Sequence, residues 1–80
     1  MRNTTIKKRL QEIANKLMHG EFGDLYNFEV TEDSDNNIVL IDYTEESYDC
    51  RWMLKDFDEF LENNGMFLEC ECPGRYIVCR

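Results

Sequence analysis

Apolar residues near the start of the chain recur at helical spacing. The stripe consists of Ile6, Leu10, Ile13 and Leu17, with Ala14 and Met18 alongside. Residues three or four positions apart lie on one face of a helix, so the pattern predicts an amphipathic helix. A side-chain oxygen of Asn3, Thr4 or Thr5 is expected to cap its start, and Gly20 is expected to end it in a left-handed conformation.

Two strands and a tight connection are predicted next. Tyr26, Phe28 and Val30 alternate with more polar neighbours, and residues 38–43 form a short apolar run rich in β-branched side chains. The intervening residues 32–37 are Glu-Asp-Ser-Asp-Asn-Asn, a turn-forming sequence too polar to bury. The pattern therefore predicts a hairpin with acidic residues at its exposed tip.

The segment from residue 47 to residue 64 fits two patterns. Tyr48, Cys50 and Trp52 alternate as in a strand, whereas the apolar spacing that follows favours a helix of roughly residues 54–64, closed by Asn-Asn-Gly. We therefore expect a third short strand around residues 48–52 that leads into this helix. The alternative is a helix that begins near Asp49.

The C-terminal part of the chain predicts a second hairpin. Residues 66–72 and 75–79 flank Pro73 and Gly74, a pair suited to the centre of a type II turn. The order α-β-β-(β)-α-β-β predicts one α+β domain over residues 1–80, with an antiparallel sheet and two helices packed on it.

The chain carries a formal net charge of −8 that is unevenly distributed. Residues 1–19 contain five basic residues and one acid, whereas residues 20–49 contain ten acids and no Lys or Arg. Phosphates repel such a surface, which argues against direct binding of nucleic acid and favours a basic surface on another protein. The candidate contact residues are Glu29, Glu32, Asp33, Asp35, Asp42, Glu45, Glu46, Asp49 and Trp52.

Four cysteines offer the best candidate for metal or redox chemistry. Cys70, Cys72 and Cys79 would come together on one strand face, with Cys50 elsewhere. A two-residue loop predicts the pairs Cys72 with Arg75, Cys70 with Ile77 and Leu68 with Cys79. Zinc ligand pairs are usually separated by two to four residues, which Cys-x-Cys does not satisfy, so free thiols packed as small apolar side chains are expected. A zinc or redox protein is the alternative.

A calcium loop is suggested at the first hairpin tip. Asp33, Asp35 and Asn37 match its opening positions, but Ile38 stands where glycine is required and Thr44 where a bidentate acid is required. No metal or other cofactor is therefore expected.

The sequence also lacks the residues of a catalytic centre. His19 is the one imidazole, at the end of the first helix, and no phosphate loop or nucleophile elbow is present. The sequence therefore predicts a protein that is not an enzyme. Because no apolar run is long enough to span a membrane, it also predicts a cytoplasmic location. Of the aromatic residues, Tyr43, Tyr48 and Phe22 are expected in the core and Trp52 at a contact.

In size and acidity the chain resembles small acidic phage-encoded inhibitors of bacterial defence, such as anti-CRISPR proteins and inhibitors of DNA-processing enzymes. The resemblance implies binding to a nucleic-acid-handling protein by partial mimicry of nucleic acid, in the host cytoplasm if the protein is phage-encoded. Same-face strand residues recur every ~6.6 Å, whereas a duplex carries one charge per ~1.7 Å, so the mimicry would be incomplete. The alternative is a small interaction or assembly protein with an apolar contact, for which a homodimer through a sheet edge is one form.

Overall fold

A computed structural model describes residues 2–21, 23–43 and 54–80 of the protein. Its elements are helix α1 (Asn3–Met18), strands β1 (Phe28–Glu32) and β2 (Ile38–Asp42), helix α2 (Lys55–Glu62), and strands β3 (Phe67–Cys72) and β4 (Arg75–Cys79), with one 3-10 turn at Gly23–Leu25. This order confirms the predicted α+β fold, both helices and both hairpins. The strand expected around residues 48–52 and the alternative helix start near Asp49 lie outside the described residues.

The four strands form an antiparallel sheet in the order β1-β2-β4-β3. In the first hairpin, Val30 lies opposite Leu40, and in the centre of the sheet Leu40 lies opposite Tyr76. Side chains alternate between faces along each strand, so these three residues share one face, called here the inner face. In the described part of the sheet, β1 and β3 lie at the edges.

Both helices pack against the inner face, where their apolar stripes meet the buried strand residues. α1 lies on β1 and β2, and α2 lies on β3. The core residues are Ile6, Leu10, Ala14, Phe28, Val30, Ile38, Leu40, Leu54, Phe57, Leu61, Met66, Leu68 and Tyr76. Phe28 and Phe57 form an edge-to-face pair with ring centroids 5.1 Å apart, which ties α2 to the first strand.

The predicted caps of α1 are wrong. The N-cap residue is Arg2, with no side-chain cap hydrogen bond. The Asn3 side chain is used in tertiary contacts instead, donating to the Asn36 carbonyl at 2.9 Å and accepting from Arg80 at 2.8 Å. These bonds join the start of the helix to the hairpin tip and to the C-terminus.

The C-terminal end of α1 also differs from the prediction, because Gly20 does not adopt a positive φ. The chain instead leaves the helix through successive tight turns, with Gly20 donating to Leu17 and Gly23 donating to Gly20. A Cβ at Gly23 would overlap the Met18 carbonyl. Position 23 therefore requires glycine, because its backbone closely approaches the backbone of Met18.

The end of α2 follows the prediction closely. Gly65 has φ +73° and so supplies the left-handed residue that terminates the helix. The Met66 amide then donates back to the Leu61 carbonyl at 2.8 Å. This cap directs the chain into β3 and places Met66 in the core.

The register predicted for the second hairpin is wrong beyond its first pair. Cys72 lies opposite Arg75 as expected, but Cys70 lies opposite Tyr76, because a β-bulge between Cys70 and Cys72 adds one unpaired residue. The extra residue, Glu71, accepts a 2.6 Å hydrogen bond from the Arg75 guanidinium, which raises the pKa of Arg75. The bulge reverses the face of the β3 residues that precede it, residues 67–70, relative to the expected pairing.

Candidate functional site

The acidic residues of the first hairpin do not lie on a single surface. Glu29 and Glu32 are both exposed, but they are three positions apart in β1 and so project from opposite faces of the sheet. Asp35 is exposed at the hairpin tip. Within the described parts of the chain, no Lys or Arg forms an ion pair with any of these three carboxylates.

Asp33 has a structural role inside the turn. Its Oδ1 accepts hydrogen bonds from the backbone amides of Asp35 and Asn37, each at 2.9 Å, and its Oδ2 accepts one from the Asn37 side chain. The bond from the Asn37 amide is the main cause of the lowered pKa of Asp33. Both carboxylate oxygens are thus used to hold the turn, in which Asn36 has φ +64°.

Asp42 is only 6% exposed, at the end of β2 opposite Phe28. Its position on the inner side follows from the pairing register, because it shares a face with Ile38 and Leu40. We therefore leave Asp42 out of the contact surface proposed below. Four further candidates, Glu45, Glu46, Asp49 and Trp52, lie outside the described residues.

The sheet surface turned away from both helices, called here the outer face, is largely apolar. Its residues are Glu29, Thr31, Val39, Ile41, Tyr43, Phe67, Glu69, Arg75, Ile77 and Cys79. Val39 is fully buried, whereas Tyr43 is 53% exposed and Phe67 is 50% exposed. The expectation that Tyr43 belongs to the core is therefore wrong, since it follows Ile41 on the outer side of β2. Phe22 and Tyr48, also expected in the core, lie outside the described residues.

Glu29 and Tyr43 are joined across the outer face. The Tyr43 hydroxyl donates to Glu29 Oε1 at 3.1 Å, and this bond to a carboxylate raises the pKa of Tyr43. The pair places a carboxylate and an aromatic ring side by side at the β1 edge. The composition alone did not show this pairing, although the predicted hairpin register could have done so.

The described cysteines are not brought together on one face. Cys79 lies on the outer face opposite Phe67, and Cys70 shares the inner side with Tyr76 at the far end of the same hairpin. The Cys79 thiol donates to Glu69 Oε2 at 3.3 Å, and its pKa is raised by burial and by that carboxylate. No group of three His, Cys, Asp or Glu residues that could hold a metal occurs among the described residues.

A groove of about 560 Å³ lies between the start of α1, the hairpin tip and the end of β4. The groups of this groove that can ionise are Asp35, Cys79 and Arg80. His19 is exposed at the end of α1 and is not among the residues that line the groove. The described lining of the groove therefore places no imidazole beside the Cys79 thiol.

Comparison of the chain with protein families, with curated proteins and with solved structures found no match. Among the described residues, none of the helices has the length and apolar character needed to cross a bilayer. The geometry of the hairpin and of the outer face is accordingly the basis for any functional interpretation.

Proposed function

We propose that the protein is a non-enzymatic binding module that engages a basic surface of another protein through the β1–β2 hairpin. The observation that carries this proposal is the set of three exposed carboxylates, Glu29, Glu32 and Asp35, on one hairpin with no ion-pair partner in the described residues. Exposed charges of one sign speed the encounter with a partner of the opposite sign.

Among the described residues, no basic side chain of α1 forms an ion pair with this hairpin. Arg9 lies 3.8 Å from Glu12 of its own helix and stacks over the Phe60 ring of α2, with 5.9 Å from its guanidinium carbon to the ring centroid. The first contact lies within α1, and the second joins α1 to α2. Neither contact of Arg9 involves the hairpin carboxylates.

In its finer form, the proposal identifies the partner as a nucleic-acid-handling protein whose basic groove the hairpin occupies. The described acids cannot follow a phosphate backbone closely, because Glu29 and Glu32 project from opposite faces and Asp33 is used by the turn. Partial occupation of a groove, rather than replacement of a duplex, is the form of inhibition that this geometry supports.

A second candidate is an interaction module with an apolar contact on the outer face. Tyr43 and Phe67 favour it, because each leaves about half of a large aromatic side chain exposed. Aromatic residues with exposed rings are frequent anchors of protein interfaces. The two candidates use different residues and differ in their dependence on salt.

The test captures partners from a lysate of cells that express the protein and then measures affinity for the captured protein. The variants are Glu32→Lys with Asp35→Lys on the hairpin, and Glu59→Lys with Glu62→Lys on α2 as a control with the same change in net charge. All four side chains are exposed, so the fold should be preserved. Phe67→Ser tests the apolar alternative.

The hairpin reversal should weaken binding about tenfold or more, with most of the loss in the association rate, and the α2 reversal should change it little. Wild-type affinity should also fall between 50 and 200 mM salt, where the Debye length shortens from about 14 Å to about 7 Å. Salt-independent binding that is lost in Phe67→Ser and kept in the hairpin reversal would replace this function with the apolar contact.

A further inference from the structure

Among the described residues, β1 is an edge strand whose outer backbone groups have no hydrogen-bond partner. In an antiparallel pair, alternate residues exchange both backbone hydrogen bonds with the partner strand, and the residues between them direct N–H and C=O the other way. The Tyr43 amide donates to Asn27 and the Asp33 amide donates to Asn37, which assigns the odd-numbered residues of this strand to pairing with β2.

The even-numbered residues Phe28, Val30 and Glu32 therefore direct their N–H and C=O groups away from β2. β1 pairs with β2 alone in the described sheet, and none of the described residues provides a partner for these groups. The Phe28 and Val30 side chains are buried on the inner face, while Glu29 projects from the outer face. The edge thus combines open backbone groups, an inner side that is apolar at Phe28 and Val30 and acidic at Glu32, and an outer side that carries Glu29.

The other edge strand is protected in a way that β1 is not. β3 contains the bulge between Cys70 and Cys72 and is followed by Pro73, both of which interrupt regular pairing with a further strand. β1 has a continuous register over five pairs and no proline or lysine. β1 is therefore the edge suited to strand addition.

We propose that β1 accepts an extended segment of a partner protein as an additional antiparallel strand, and that this segment alternates basic and apolar residues. This inference rests on the proposed function and specifies how the basic partner is held. Residues of the added strand that pair with Phe28 and Val30 share the inner face and would be apolar, extending the core beside α1. Their neighbours project beside Glu29 and Thr31 and would be basic.

A second copy of this chain is a poorer occupant. Antiparallel pairing of two β1 strands would bring together two chains of net charge −8 and two acidic hairpins. Repulsion between chains of like charge disfavours such a dimer, whereas a basic strand is attracted.

The test uses a blocked synthetic peptide, Lys-Val-Lys-Val-Lys-Val-Lys, and the intact protein labelled with ¹⁵N. In the free protein the amides of Glu29 and Thr31 should exchange slowly with solvent, because they are bonded to β2, and those of Phe28, Val30 and Glu32 should exchange fast. Saturating peptide should slow exchange of the latter three about tenfold or more.

Two modified peptides of identical charge separate strand pairing from simple attraction. Methylation of the valine amides removes the donors that face β1 and should abolish protection, whereas methylation of the lysine amides affects only the opposite edge and should preserve it. Among protein variants, Glu29→Lys should weaken binding about fivefold, and the equally charged control Glu62→Lys should not.

The outcomes distinguish this inference from the function on which it rests. Binding without protection of Phe28, Val30 and Glu32, or equal binding of the two methylated peptides, overturns strand addition and leaves a basic partner in place. Absence of peptide binding, or protection by self-association without peptide, also overturns strand addition, while the function is judged separately by the hairpin charge reversal.

Discussion

Replacement of Phe57 by alanine should be among the most destabilising single changes in this domain. The side chain is fully buried between α2 and the sheet and packs edge-to-face on Phe28. A cavity of about 100 Å³ left unfilled would by itself cost ~2.4 kcal/mol. The lost transfer free energy and the lost aromatic contact bring the expected total to about 3–5 kcal/mol.

This cost is a large part of the stability of an 80-residue domain, which is expected to be about 4–12 kcal/mol. With an m-value of roughly 2 kcal/mol/M in guanidinium chloride, the unfolding midpoint should fall by about 1.5–2.5 M. Circular dichroism at 222 nm would follow the transition. If Phe57→Ala does not fold, Phe57→Leu, with an expected cost of about 1–1.5 kcal/mol, keeps the measurement possible.

Phe67→Ala is the matched control, because it removes the same atoms from a side chain that is half exposed on the outer face. It should cost no more than about 1 kcal/mol. Equal destabilisation by the two substitutions, or a midpoint for Phe57→Ala within about 0.3 M of wild type, would refute the assignment of the inner face as the core.

Four further predictions follow from particular contacts. Leu10→Ala should cost about 2–5 kcal/mol by denaturant unfolding, and the exposed Lys8→Ala less than about 0.5 kcal/mol; equal costs would place the core face of α1 elsewhere. Because the pKa of Asp33 is lowered in the folded state, its contribution to stability is fully present above about pH 4 and is lost as the pH falls through the pKa of the folded state. An NMR titration in which this carboxyl keeps an ordinary pKa would contradict the hydrogen bonds of the turn. The raised pKa of Cys79 should slow its alkylation by iodoacetamide at pH 8, and Glu69→Gln should speed it; an unchanged rate would exclude the thiol–carboxylate contact. All four cysteines should be reduced and metal-free in native mass spectrometry, and a zinc adduct lost together with folding on chelation would contradict this.

The sequence by itself determined the elements whose patterns are local. The stripe that includes Ile6 and Leu10, the polar turn before Ile38 and the Asn-Asn-Gly sequence before Met66 each contain their own period or turn chemistry, and all three became the predicted structure. The ends of α1 depend more on residues that are distant in sequence. Asn3 was expected to cap α1, but its side chain bonds to Asn36 and Arg80, which are distant in sequence.

Only the tertiary structure decided which candidate groups are available for binding. Whether Asp42 is buried or Tyr43 is exposed depends on pairing register and on the face that the helices cover. The bulge before Cys72 illustrates the physical reason. One unpaired residue exchanges the two faces of a strand, and the amino-acid composition gives no sign of it. The open backbone of β1 is likewise a property of strand order, which no residue in β1 encodes alone.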